Sequence, residues 1–138
     1  YLGPYETVLA PDELVVGIDV ANPGQGTAGC HAKFTVGSPE NKPVANASVL
    51  VGIDQATERC TSARIAMGAV GPIPIVAEAA NGLVGEVLNA QRVSEVASVA
   101  AEQTDPIEDL RGPVWYKRRI IKVLVERALM TAIGRATA

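Results

Sequence analysis

Aromatic side chains are scarce in this sequence: one Trp, three Tyr and one Phe, 4% of 138 residues. That scarcity argues against a nucleic-acid reader built on base stacking. Histidine occurs once, at His31, which excludes any metal site needing two imidazoles. Two cysteines, Cys30 and Cys60, are too few for a disulfide scaffold and too far apart for a Cys-x-x-Cys pair. They read as reduced thiols, and with no signal-peptide pattern at the start the expected location is cytoplasmic. Also missing is any run approaching the roughly 18 apolar residues that span a bilayer. The richest stretch, from Ile120 to Ala136, is interrupted by Lys122, Glu126 and Arg127. The net charge of −3 does not suit a polyanion binder.

What is present is a folding composition of 48% hydrophobic and 20% charged residues, at a length that suits one domain. Ala and Val supply the apolar share in place of rings. Charge is unevenly placed, with fourteen acids against five bases before Arg111 and seven bases against one acid from Arg111 on. That basic end reads as the solvated face of a helix that neutralises its own acidic domain. The chain opens Tyr1-Leu2-Gly3-Pro4 without Met, so it is expected to be a piece of something longer.

Periodicity divides the chain into a β half and an α half. Leu14–Val20 is β-branched with partial alternation and predicts a strand, and Ala32–Val36 predicts another. Val44–Ile53 and Glu58–Met67 predict a hairpin around the turn Asp54–Thr57. Ala47, Val49, Val51 and Ile53 should share a buried face with Ala63, Ile65 and Met67. Ile75–Leu83 predicts a short helix and Ala90–Gln103 a longer one, with Val93, Val96, Val99 and Ala100 inward. Thr104–Pro113 is a loop. The last helix runs from about Val114 to Ala132 on a stripe of Ile121, Leu124, Val125, Ala128, Leu129 and Ala132. Strands first and helices afterwards mean α+β, not a βαβ repeat.

No catalytic site emerges from the residues alone. Gly24-Gln25-Gly26-Thr27-Ala28-Gly29 is a literal G-x-G-x-x-G, but a dinucleotide loop must open onto a helix that receives the pyrophosphate. Cys30–Val36 is strand-like instead, so the tract reads as a surface loop. His31 has no Ser, Cys or acid at triad spacing and reads as structural or exposed. Asp105, Glu108 and Asp109 precede a helix, where acids favour the positive end of its dipole. Trp115 and Tyr116 read as anchors of the last helix onto the sheet, with Lys117, Arg118 and Arg119 reaching water.

The second half carries a more specific pattern. Ile65-Ala66-Met67-Gly68-Ala69-Val70, then Pro74, Ala77-Glu78-Ala79 and Leu83-Val84-Gly85, is followed by Asp109-Leu110-Arg111-Gly112, Tyr116-Lys117-Arg118-Arg119 and Arg127-Ala128-Leu129. In that order these runs resemble the C-terminal domain of the FAD-binding medium subunit of molybdenum hydroxylases, the xanthine dehydrogenase and aerobic carbon monoxide dehydrogenase family. Thr7-Val8-Leu9-Ala10-Pro11-Asp12-Glu13 is similar to the segment that closes the preceding flavin-binding domain. Two positions depart from the pattern. His31 stands where Tyr is usual, and Lys117 stands where Arg follows Tyr.

The resemblance implies a small antiparallel sheet of three to four strands packed against a layer of three helices. It implies residues 1–29 as the tail of the flavin-binding domain with a linker loop, and 30–138 as the C-terminal domain. It further implies FAD in the full subunit, bound mainly by upstream Gly-rich loops, with molybdopterin and iron–sulfur clusters in partner subunits. Electrons would pass from the iron–sulfur clusters through FAD to an acceptor, and this part would form a flavin-site wall and a subunit interface. The candidate cofactor-binding residues are Val15, against the isoalloxazine, and Lys33, near the flavin. By itself the chain is expected to be inactive. The alternative is a stand-alone α+β protein-association module without redox activity.

Overall fold

The structure is a computed structural model that describes residues 1–138. Four antiparallel strands lie in chain order: β1 Thr27–Phe34, β2 Ala45–Ile53, β3 Cys60–Gly68 and the two-residue β4 Ile75–Val76. A 3-10 helix at Glu78–Leu83 follows, then α1 Ala90–Glu102 and α2 Val114–Ala136. The α+β architecture of a small sheet under three helices is as the sequence implied.

Alternation sets the sheet. Ala45, Ala47, Val49, Val51 and Ile53 of β2 are buried together with Ile65 and Met67 of β3. The register places Ala47 opposite Met67 and Val49 opposite Ile65, so period-two patterning aligns the apolar sets of both strands on one face. The hairpin turn forms where expected. Asp54 Oδ1 accepts from Ala56 N, Thr57 N and Thr57 Oγ1 at 3.1, 2.8 and 2.8 Å, a side chain standing in for backbone.

On that face α2 packs across β1 and β2, the 3-10 helix packs on β3, and α1 lies against both helices. Toward its end the buried residues of α2 are Ala128, Leu129, Ala132 and Ala136, three of them small. Those small residues let the helix approach the sheet, which is how a core forms with no fully buried ring. Asn89 caps α1 by accepting from Arg92 N at 2.9 Å, satisfying one of the free N–H groups of its first turn. Arg135 Nη1 donates to Gly29 O at 2.8 Å, and Gln55 Nε2 donates to Ala136 O at 2.7 Å. Together they pin the end of α2 to the sheet.

Four readings of the sequence are corrected. Leu14–Val20 forms no strand: residues 14–25 make no backbone–backbone hydrogen bond, and Val16 is 94% exposed. Its β-branched residues have the right propensity, but a strand also requires a partner edge and none is offered here. β1 starts at Thr27 rather than Ala32, taking in the end of the Gly-rich tract. Ile75–Leu83 is not one helix. Pro72 and Pro74 hold the chain extended, Ile75 pairs with Met67 and Val76 with Ala66, and only Glu78–Leu83 coils, as 3-10 turns. Finally, α2 continues four residues beyond Ala132, to Ala136.

Candidate functional site

The second face of the sheet carries no helix. Its residues are the outward set of each strand: Gly29, His31 and Lys33 of β1, Asn46, Ser48 and Leu50 of β2, Arg64, Ala66 and Gly68 of β3. One row across the sheet runs His31, Ser48, Ala66, Val76, and the next runs Lys33, Asn46, Gly68. The middle of the first row is small and in the second the Asn46 side chain lies over Gly68, so this face is a shallow floor with a basic and an imidazole side chain along one edge. His31 Nδ1 lies 2.7 Å from Ser48 Oγ, which fixes the ring and leaves Nε2 free. Lys33 Nζ donates to Pro39 O at 2.8 Å.

Of the two residues singled out for cofactor contact, Lys33 lies on this floor and Val15 does not. Val15 sits on the exposed N-terminal segment, joined to the sheet by no backbone hydrogen bond. The G-x-G-x-x-G tract is not a phosphate loop. Gly24 and Gly26 adopt φ of +83° and +67°, and Thr27 then enters β1 with no helix to follow. Gly26 serves the sheet, since a Cβ there would stand 2.6 Å from Ile53 O.

A second feature escaped the sequence reading. A cleft of about 600 Å³ opens between the β1–β2 connection, the β3–β4 connection and the α1–α2 loop. Lys117 lies against it, 3% exposed, and its Nζ donates to Ile107 O at 2.8 Å while standing 2.8 Å from Asp109 Oδ1. Asp109 also accepts from Arg111 N at 2.8 Å and from Arg111 Nη1 at 3.1 Å. Those bonds, the Lys117 ammonium first, hold the Asp109 carboxyl below the usual carboxylate range. Lys42, Asp105 and Ala69 also line the cleft, Ala69 at a left-handed φ of +62°. No His, Cys or Ser does, and Tyr5 of the N-terminal segment does.

Three expectations about this region are corrected. Asp109 is not a dipole-favoured acid of the helix start: α2 has no acid in its first turn and Pro113 precedes it. The carboxylate is instead the counter-ion of Lys117. Lys117 itself does not reach water. It falls four residues before Ile121, on the buried stripe, and that spacing was the available signal. Trp115 does not anchor the helix onto the sheet. It is 65% exposed and meets Tyr116 edge to face, with centroids 5.9 Å apart.

Elsewhere, burial pushes the Cys60 thiol up, and no group of three or more His, Cys, Asp or Glu is placed to hold a metal ion. No helix is long and apolar enough to cross a membrane.

Comparison with known proteins gives a consistent set of relatives. The model of the CO dehydrogenase flavoprotein C-terminal domain matches residues 40–132. The nicotine 6-hydroxylase medium subunit of Paenarthrobacter nicotinovorans is 30% identical over 98% of this chain and 46% of its own length. The carbon monoxide dehydrogenase medium chain of Afipia carboxidovorans is 31% identical over 99% of this chain and 46% of its own length. A solved carbon monoxide dehydrogenase from Hydrogenophaga pseudoflava superposes with a TM-score of 0.91 at 30% identity, over 99% of this chain and 47% of that one. The chain thus spans about half the length of the curated relatives it matches.

Proposed function

The chain belongs to the family of CO dehydrogenase flavoprotein C-terminal domains, and on that premise we propose that it is the C-terminal part of the FAD-carrying subunit of a molybdenum hydroxylase. In this reading residues 1–29 close the flavin-binding domain and 30–138 form the domain beside it. The subunit receives electrons from iron–sulfur clusters and passes them through FAD to an acceptor. A molybdopterin subunit performs the hydroxylation and selects the substrate.

The observation that carries the proposal is the asymmetry of the sheet. One face is sealed by helices, whereas the other is open, floored by Ser48, Ala66 and Asn46, which lies over Gly68, and edged by His31 and Lys33. A planar heteroaromatic ring suits a shallow floor of short side chains, and an ammonium and an imidazole are donors fitted to ring carbonyls. The fit extends to the ring alone, because no Gly-rich loop leading into a helix borders this face to cradle a pyrophosphate. Bound FAD would supply a carrier able to accept electrons one at a time and release them as a pair.

The chain's own residues have separable tasks. Lys33, exchanging the Pro39 carbonyl for the ligand, brings a positive charge to the ring edge. Ser48 holds His31 so that Nε2 is presented in one direction. Val15, on a segment whose position the rest of the subunit would fix, excludes water from the ring.

The test compares the full-length subunit with the 138-residue chain. The full-length protein should purify yellow with one FAD per subunit. The short chain should be colourless and without dehydrogenase activity, because one apolar residue and one Lys cannot offset the cost of ordering the cofactor. A full-length subunit without flavin would sink the reading, and stoichiometric FAD on the short chain would sink the division of labour within it.

A further inference from the structure

We infer that the Asp109–Gly112 turn and the first turns of α2 form the surface by which this domain docks onto a neighbouring subunit, one offering an apolar socket rimmed by carboxylates. The inference rests on the reading of the chain as part of a complex subunit.

The turn is built to be rigid. Asp109 and Gly112 pair through both backbone groups, at 3.4 and 3.0 Å, and Asp109 gathers Arg111 and Lys117 as described above. Lys117 is buried, and desolvating its charge is costly unless it is paired. Here the buried Lys117 and half-buried Asp109 brace a surface turn at whose tip Leu110 is wholly exposed. Behind the tip, Gly112 has φ +137°, and a Cβ there would stand 2.7 Å from Tyr116 Cδ1. The Tyr116 ring therefore backs the turn, and Trp115 leans edge-on against Tyr116. Leu110 at the tip of the turn and Trp115 on the first turn of α2 are both largely solvent-exposed, with Tyr116 between the turn and Trp115.

An exposed Leu on a braced turn and an exposed Trp five residues on both cost solvation in the free protein, and little ordering entropy remains to be lost when a partner covers them. Arg118 and Arg119 lie three and four residues after Trp115, on the same side of the helix. Between Ile107 and Arg119 four cations stand against two acids, and neither Arg118 nor Arg119 has a carboxylate partner. Trp, Tyr and Arg around a rigid centre is the composition of interface hot spots. The occupant is argued from two findings. The relatives are named as subunits or chains of larger enzymes, one of them of a dehydrogenase complex, and the surplus positive charge calls for an acidic rim.

The test uses the full-length subunit co-expressed with the other subunits of its complex. Leu110→Asp with Trp115→Ala should weaken assembly at least ten-fold while flavin content and melting temperature are retained. Arg119→Glu should weaken it less and flatten its dependence on salt; as a surface change it still decides the matter if the double variant fails to fold. Flavin-loaded subunits that assemble normally with all three changes would overturn the surface and leave the functional reading intact. A wild-type subunit without flavin would instead sink that reading. Self-association through this surface, abolished in a double variant that still joins the complex, would overturn the proposal in favour of a second copy of the chain.

Discussion

The Lys117 ammonium stands 2.8 Å from Asp109 Oδ1, eight residues earlier in the chain, and that pair joins the first turn of α2 to the loop that precedes it. The lysine is buried and the carboxylate is half-buried. The loop thus borrows its order from a helix that is itself fixed to the sheet.

The pair makes stability pH-dependent with a definite sign. Asp109 has a folded value below the ordinary one of about 3.9, held down first by the Lys117 ammonium and then by Arg111 N. Its contribution is therefore complete above about pH 5 and is lost as pH falls through the depressed folded value. Asp109→Asn should be less stable than wild type in urea at pH 7, and the gap should narrow when the comparison is repeated in acid, below the ordinary carboxylate range. Curves equally far apart at both pH values would contradict the assignment.

Ile65 is fully buried at the centre of β3, facing Val49 across the register. Ile65→Ala should cost about 2–5 kcal/mol through lost burial and the cavity left behind. Chemical denaturation reads this directly, and a loss below about 1 kcal/mol would mean that the site collapses around the change.

Gly24 and Gly26 share a left-handed backbone but not an environment. Nothing lies within 4 Å of a Cβ built on Gly24, while one on Gly26 meets Ile53 O at 2.6 Å. Gly26→Ala should destabilise by more than about 1 kcal/mol, and Gly24→Ala by clearly less. Equal losses would show that backbone conformation, not the close approach, sets the requirement.

Lys33 is exposed and bonded only to the Pro39 carbonyl. Lys33→Met should change stability by no more than about 0.5 kcal/mol. In the full-length subunit it should lower the flavin reduction potential, because a cation beside the ring favours the reduced, more negative form. A potential equal to that of wild type would remove Lys33 from the flavin site.

Leu14, Val16, Ile18 and Val20 alternate along an extended segment that pairs with nothing. In the 138-residue chain a protease should cut between residues 14 and 25 first and leave residues 27–138 as a resistant core. Early cleavage within β2 or β3 would contradict this order of stability.

Much of the fold was legible because it depends on local pattern. The β2–β3 hairpin, its turn at Asp54, the faces of both strands and the two long helices all follow from period-two or period-3.6 spacing over nine residues or more. The scarcity of rings also announced a core of Ala, Val, Ile and Leu, and that core is what permits α2 to lie so close to the sheet.

Only the tertiary structure decided the rest, since each remaining question turned on a partner distant in sequence. Leu14–Val20 has a strand's residues and no strand, because propensity cannot supply a hydrogen-bonding edge. Ile75 and Val76 left a helical pattern when β3 offered them one. Asp109 read as an acid favoured by the helix dipole and Lys117 as a base reaching water until the loop and helix brought them to 2.8 Å. Local patterning fixes which side of an element is apolar, whereas the pairing of edges and of buried charges is settled only when the elements meet.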